Sequence, residues 1–202
     1  MNMESALSID RPALVEEVEK GLSTYIHVSD DQGRIILSKK ANTILSNFYR
    51  VLYMHMSHGK ADFRDTGGAT RGGSRNNENF QVKAPAGEAA WGIVLGTSTA
   101  AVSITDYNLG ATIPHGTGAG QLLYGSTDVT DIEIIGNMAR FYITRLFTND
   151  GGADITVNEI GLIVRVHDGF PLYSVLIDRT LATFIVPAGG SRNVIYELRV
   201  VA

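Results

Sequence analysis

The run RFYITRLFTN (140–149), ITVNEIGLIVRV (155–166), PLYSVLID (171–178), ATFIVP (182–187) and NVIYELRVV (193–201) decides the fold of this 202-residue chain. Each segment is short, rich in β-branched and aromatic residues, and bounded by turn-forming stretches such as NDGGAD, HDGF and PAGGSR. That rhythm predicts a mainly β chain, an antiparallel β-sandwich of jelly-roll or immunoglobulin-like type. In the last segment Val194, Tyr196, Leu198 and Val200 share one parity and are expected to face the core. Asn193, Glu197 and Arg199 would then lie on a wet face. Over 154–166 the apolar parity changes between Val157 and Ile160. Either a bulge near Asn158–Gly161 restores one buried face, or the strand is covered on both sides, which would imply a neighbouring subunit. Across NDGGAD an antiparallel register sets Arg145 opposite Glu159, a structural ion pair.

Working outward, VTDIEIIG (129–136), WGIVLG (91–96) and residues 80–83 read as further strands, so residues 80–202 form the sandwich domain. Residues 1–57 read as an N-terminal arm, hairpin and helix. Asp10, Pro12 and Gly21 frame a short helix over 11–20. TYIHVS and RIILSK flank the turn DDQG and predict a hairpin. From Ala41 to Ser57, Ile44, Leu45, Phe48, Val51, Leu52, Met54 and Met56 recur at mostly helical spacing and predict a helix with one face on the sandwich or on a neighbour. The stretch 58–79 has five glycines and one large apolar residue, Phe63, and reads as a flexible glycine-rich loop. This loop and residues 1–21 are expected to order when the chain meets its partners.

Composition narrows the function classes. With 44% hydrophobic residues and 19% charged, the chain can bury a core. A formal charge of −4 gives no general pull toward nucleic acid or an anionic membrane, so neither is an expected partner. No apolar run approaches the roughly 20 residues of a membrane span. The absence of cysteine removes disulfides and thiolate metal sites, which suits synthesis in a reducing cytoplasm. The acidic N-terminal stretch lacks the pattern of a secretory leader.

Few patterns point to chemistry. GTGAG (116–120) lacks the strand-to-helix setting and the GK[ST] lysine of a nucleotide loop, so it reads as a turn. His55 and His58 fall at a helix end, and His27 and His167 have no evident partner. Asp128, Asp131 and Glu133 could act as a carboxylate pair in an unrecognised hydrolase, but they match no calcium loop and alternation puts Asp131 and Glu133 on an outer strand face. No GxSxG or HExxH occurs. No enzyme activity, catalytic residue, cofactor or metal is expected. Four aromatics, Phe63, Trp91, Tyr107 and Tyr124, are candidates for interface or ligand contact. Trp91, Tyr107 and Tyr124 could instead stack on sugar rings, which keeps a glycan- or receptor-binding module as the alternative.

The words WGIVLGTSTAAVSITDYNLGATI, GTGAGQLLYG, RFYITRLFTNDGGADITVNEIGLIV and LIDRTLATFIVPAGGSRNVIYELRV together resemble a pattern found in structural proteins of tailed bacteriophages. There a G-T segment leads to D-Y-x-L, then to R-x-F-T-N and T-V-N-E-I-G-L, an L-I-x-R segment, a P-x-G turn and a terminal Y-x-L-R-V strand. The resemblance covers about residues 91–202 and, more loosely, 22–56. LIDRT stands here where L-I-A-R-D is the expected order. The resemblance implies a virion component of tail, baseplate, fibre-network or capsid-decoration type, made in the bacterial host cytoplasm. Its implied partners are copies of itself and other virion structural proteins, in a homo-oligomer.

Overall fold

The computed structural model describes residues 20–41, 44–57, 61–73, 80–167 and 172–202. The helix expected over 11–20 lies almost wholly outside them, as does His58. Among the described residues there are twelve strands and one helix, and every named strand pair is antiparallel. The molecule is mainly β, with antiparallel sheets arranged consistently with a β-sandwich.

The first sheet contains β1 (Gly21–Ser29), β2 (Ile35–Lys40), β7 (Leu123–Val129), β8 (Glu133–Ile135), β9 (Met138–Thr148) and β12 (Ser191–Val201). Its order is β2-β1-β12-β9-β7, with β8 also paired to β9. The second sheet contains β5 (Phe80–Gln81), β6 (Gly92–Gly96), β10 (Ile155–His167) and β11 (Leu172–Val186). There β10 has β11 on one edge and both β5 and β6 on the other. The expected hairpin around DDQG is β1–β2, closed by Asp30, whose carboxylate accepts from the Gln32 and Arg34 amides.

Alternation places the first sheet's inner face. Phe141, Ile143, Arg145 and Phe147 share a parity on β9, paired in register with Leu198, Tyr196, Val194 and Arg192 of β12. Val194 and Tyr196 are fully buried, as the sequence predicts, while Val200 at the strand end is exposed. The opposite face of β12 is drier than expected. Ile195 and Glu197 are buried there, and His27 of β1 and Arg140 of β9 pair with the Glu197 carboxylate from either side. His27 binds the Glu197 carboxylate at 3.1 Å, so this histidine does have a partner. Burial would raise the Glu197 pKa, but the hydrogen bond from His27 and the charges of His27, Arg140 and Arg199 hold it below the usual range.

Four expectations change. PLYSVLID and ATFIVP are one continuous strand, β11, because its polar centre Asp178-Arg179-Thr180 is buried with partners instead of forming a turn. Residues 129–136 do not make one strand: β7 ends at Val129 and β8 begins at Glu133. On β10 the register shifts between Val157 and Glu159, but the extra residue is on β11, where Ala182 and Thr183 stand opposite Asn158, so the bulge expected on β10 near Asn158–Gly161 is not there and Gly161 pairs regularly with Arg179. From Glu159 to Val164 the strand is also buried on both faces, and this chain's own segment 97–113 covers one of them at Glu159 and Gly161. Gly161 serves that packing, since a Cβ there would stand 2.8 Å from Leu109 Cδ2 and 3.0 Å from Leu176 Cδ1.

The fourth change concerns 58–79. Its described part, 61–73, contains the hairpin β3 (Ala61–Arg64) and β4 (Thr70–Gly73). Phe63 is buried against the Tyr173 ring, 6.1 Å between centroids. Asp65 closes the turn by accepting from the Ala69 amide at 2.9 Å and from Arg71 Nε at 2.7 Å. The helix α1 spans Ser46–Ser57 and buries Asn47, Val51 and Met54. The Asn47 amide behaves like one more strand residue: it donates to Arg64 O at 2.9 Å and accepts from Arg64 N at 3.2 Å. Helix and hairpin are thereby clamped together and over the second sheet, where Leu45 N donates to Ile177 O.

Candidate functional site

Among the described residues, Lys39 of β2 donates to Leu181 O of β11 at 2.7 Å, and three fully buried side chains also make polar links across the facing sheets. Tyr196 of β12 donates to Asp178 of β11 at 3.0 Å. Tyr124 of β7 donates to Ile113 O at 2.6 Å and lies 3.5 Å from Leu95 O on β6. Burial pushes the Tyr124 pKa up to about 12, so it remains a neutral donor.

The third link is Arg145. Its guanidinium donates through Nε to Gly125 O at 2.8 Å, and through Nη1 to Trp91 O at 3.0 Å and Ile93 O at 2.9 Å. Nη2 reaches Pro85 O at 3.4 Å and also donates to Glu88 O. The Tyr124 ring lies 4.9 Å from the guanidinium carbon. Burial lowers the Arg145 pKa to about 10, which still leaves it charged at neutral pH. One side chain thus gathers carbonyls from 85–93 and β7 onto β9.

A second buried centre holds Glu159. Its Oε2 accepts from Arg179 Nε at 2.8 Å and from Gly110 N at 3.1 Å, and Oε1 accepts from Ala111 N at 2.9 Å. Arg179 donates through Nη1 to Asp106 at 2.8 Å and through Nη2 to Ala100 O at 3.0 Å. Burial opposes the Arg179 charge, but Asp106 and Glu159 outweigh it and raise its pKa above the usual value. Nearby, Asn158 Nδ2 donates to Thr97 O at 2.9 Å. The expected Arg145–Glu159 pair is therefore replaced by two separate centres. The cause is topological: NDGGAD is a corner between sheets, where Asn149 is fully buried and donates to Ala153 O at 2.9 Å and Val186 O at 3.0 Å.

These centres account for the sequence words. Asp106 and Leu109 of D-Y-x-L, Glu159 and Gly161 of N-E-I-G-L, and Arg179 of LIDRT meet where the segment 97–113 lies on β10 and β11. Arg145 and Asn149 of R-x-F-T-N hold the other two junctions. Sequence reasoning singled out Glu159 and Arg145 but missed Asp106, Arg179, Asn149 and Asp178. Asp178 and Arg179 carried a signal, polar residues set inside an apolar strand word, whereas Asp106 and Asn149 stand in polar turn stretches and carried none.

Of the four aromatic candidates, Phe63, Trp91 and Tyr124 are buried. Tyr107 is half-buried, with the Arg64 guanidinium 3.8 Å above its ring. The structure does not bring these four into one exposed platform. Asp128, Asp131 and Glu133 are exposed; Glu133 pairs with Arg140 at 2.9 Å, and Ser126 Oγ donates to Asp128 at 3.4 Å. His55 packs its ring on Phe80. Among the described residues no three His, Cys, Asp or Glu side chains group as metal ligands, and no helix is long and apolar enough to cross a membrane.

What the surface does carry is an apolar stripe. On α1, Tyr49, Leu52, Tyr53 and Met56 are exposed at spacings of three, four and seven from Tyr49, opposite the buried Asn47, Val51 and Met54. Met56 is 77% exposed, more than a core-directed methionine would be. A second exposed apolar group, Ile132, Ile134 and Ile135, lies at β8. No family model, curated protein or solved structure matches this chain.

Proposed function

We propose that this chain is a structural component of a tailed-phage virion, which associates with copies of itself and docks on neighbouring virion proteins. The observation that carries the reading is the double-faced helix α1, whose second apolar stripe, Tyr49, Leu52, Tyr53 and Met56, is exposed and has no cover among the described residues. Such a stripe favours burial against another protein surface, and aromatic residues and Met suit interface cores. The resemblance in the words at 91–202 supplies the virion context. The buried junctions around Arg145 and Glu159 suit a rigid building block, and a jelly-roll-like or immunoglobulin-like sandwich is the finer form in keeping with it. Tail, baseplate, fibre network and capsid surface are all compatible placements. Trp91 and Tyr124 are buried, which favours the interface reading over a glycan-binding one.

Peptide mapping by mass spectrometry of purified particles, from a phage whose genome encodes this chain, tests the reading. Peptides of the chain are expected at a fixed ratio to the other particle proteins. Particles that are complete and infectious without it would overturn the proposal.

A further inference from the structure

The core between the sheets is not filled at one end. A cavity of about 610 Å³ opens there, where Phe141, Ile143 and Leu198 of the first sheet face Leu162, Val164 and Ile177 of the second. Phe48 of α1 and Phe80 of β5 close one side, with their rings edge-to-face at 6.4 Å. Water would find few partners on such walls, and emptiness forfeits the dispersion contacts of a packed core. The volume falls within the roughly 300–1,000 Å³ of small-molecule pockets.

Polarity enters the lining at two side chains, Gln81 and Lys83, both on exposed residues next to Phe80. Neither side chain has a hydrogen bond or an ion pair among the described residues. A free ammonium and a free amide beside an apolar cavity of this volume suit a ligand with one small anionic head and a hydrocarbon tail. A polypeptide fits less well. It would carry backbone N–H and C=O groups between walls that offer them no partners. We propose that this cavity binds a long-chain fatty acid, with the tail between the sheets and the carboxylate held by Lys83 and Gln81.

Fluorescence titration of the purified full chain with cis-parinaric acid tests this. One saturable site per chain is expected, with Kd on the order of micromolar, and palmitate should displace the probe. Hexadecanol should displace it about tenfold less well, since it lacks the charge. Lys83→Glu, at an exposed position, should weaken palmitate by about tenfold or more and leave hexadecanol unchanged. Ile143→Trp, which fills the cavity, should abolish probe binding; if that variant does not fold, the Lys83→Glu comparison stands alone. The proposal is overturned by any of these results: no saturable binding, equal palmitate affinity in Lys83→Glu and the parent, or full binding in folded Ile143→Trp. A cavity found filled by a second copy of the chain, with no fatty acid able to displace it, would also overturn it.

Discussion

Arg145 and Arg179 are both buried cations on strands, yet the first is held by backbone carbonyls alone while the second sits between two carboxylates. The difference decides what each can tolerate. Around Arg179 the Glu159 charge is matched directly, so replacing those two together removes both buried charges and leaves the half-buried Asp106, which still accepts from Ser103 N. Around Arg145 no carboxylate accepts a hydrogen bond from it among the described residues, and the nearby Glu88 charge offsets only part of the cost of burial. The Arg145 charge satisfies carbonyls on several separate segments, and nothing else nearby can donate in that fork geometry.

The largest effect is therefore expected at Arg145. Arg145→Met would strand buried carbonyls, each costing about 1–3 kcal/mol, a sum comparable with a whole domain's stability of about 5–15 kcal/mol. Loss of soluble folded protein is expected, and Arg145→Lys should rescue little because an ammonium cannot span the same carbonyls. A cooperative, near-parental urea transition in Arg145→Met would erase the contrast between the two centres.

Next comes Glu159→Gln, expected to cost about 3–5 kcal/mol by leaving Arg179 short of a carboxylate. The double variant Glu159→Gln with Arg179→Met should recover at least about 1 kcal/mol relative to that single change, since the amide oxygen still accepts from Gly110 and Ala111. Simple additivity in urea denaturation would mean that the pair is not coupled.

A smaller, pH-dependent effect belongs to Asp178. Burial pushes its pKa up to about 7, although hydrogen bonds from Tyr196 and Thr180 work the other way, and its Oδ2 has no hydrogen-bond partner. The unfolded value is near ~3.9. Between the two, the folded chain holds a proton that the unfolded chain has lost. The contribution of this group is then fully present below about pH 4, falls as pH rises to about 7, and is flat above. Asp178→Asn should remove that slope and raise stability near pH 8 by about 1–3 kcal/mol. Denaturation curves with an unchanged pH slope in Asp178→Asn would sink this assignment.

The strands were legible because their alternation is local. Val194 and Tyr196 on β12 and the β1–β2 hairpin follow from residues a few positions apart, whereas the bulge expected on β10 falls on its partner β11, which the alternation of β10 alone could not show. Sheet membership was not. A corner such as NDGGAD and a hairpin turn share the same glycines and acids, and the buried Asn149 that separates them binds Val186, 37 residues away. The hairpin at 61–73 was hidden for a similar reason. Its own apolar content is little more than Phe63, and its anchors, Asn47 and Tyr173, lie far off in sequence. Aromatic residues beside glycine gave no sign of whether they plug a core or face a partner. The apolar stripe on α1 was half legible. Leu52 and Met56 fell within the helical pattern, but which face the sandwich would take depends on Asn47, a polar residue that turned inward.

Sedimentation velocity, run on the parent chain and on the double variant Tyr53→Lys with Met56→Lys, tests the central claim most directly. Both substitutions are at exposed positions and should change stability by no more than about 0.5 kcal/mol. The parent is expected to sediment as a defined oligomer of its 21.8 kDa chain and the variant as a folded monomer. A parent that stays monomeric at every concentration, or a variant that assembles as the parent does, would contradict the claim that this chain works through the outer face of α1.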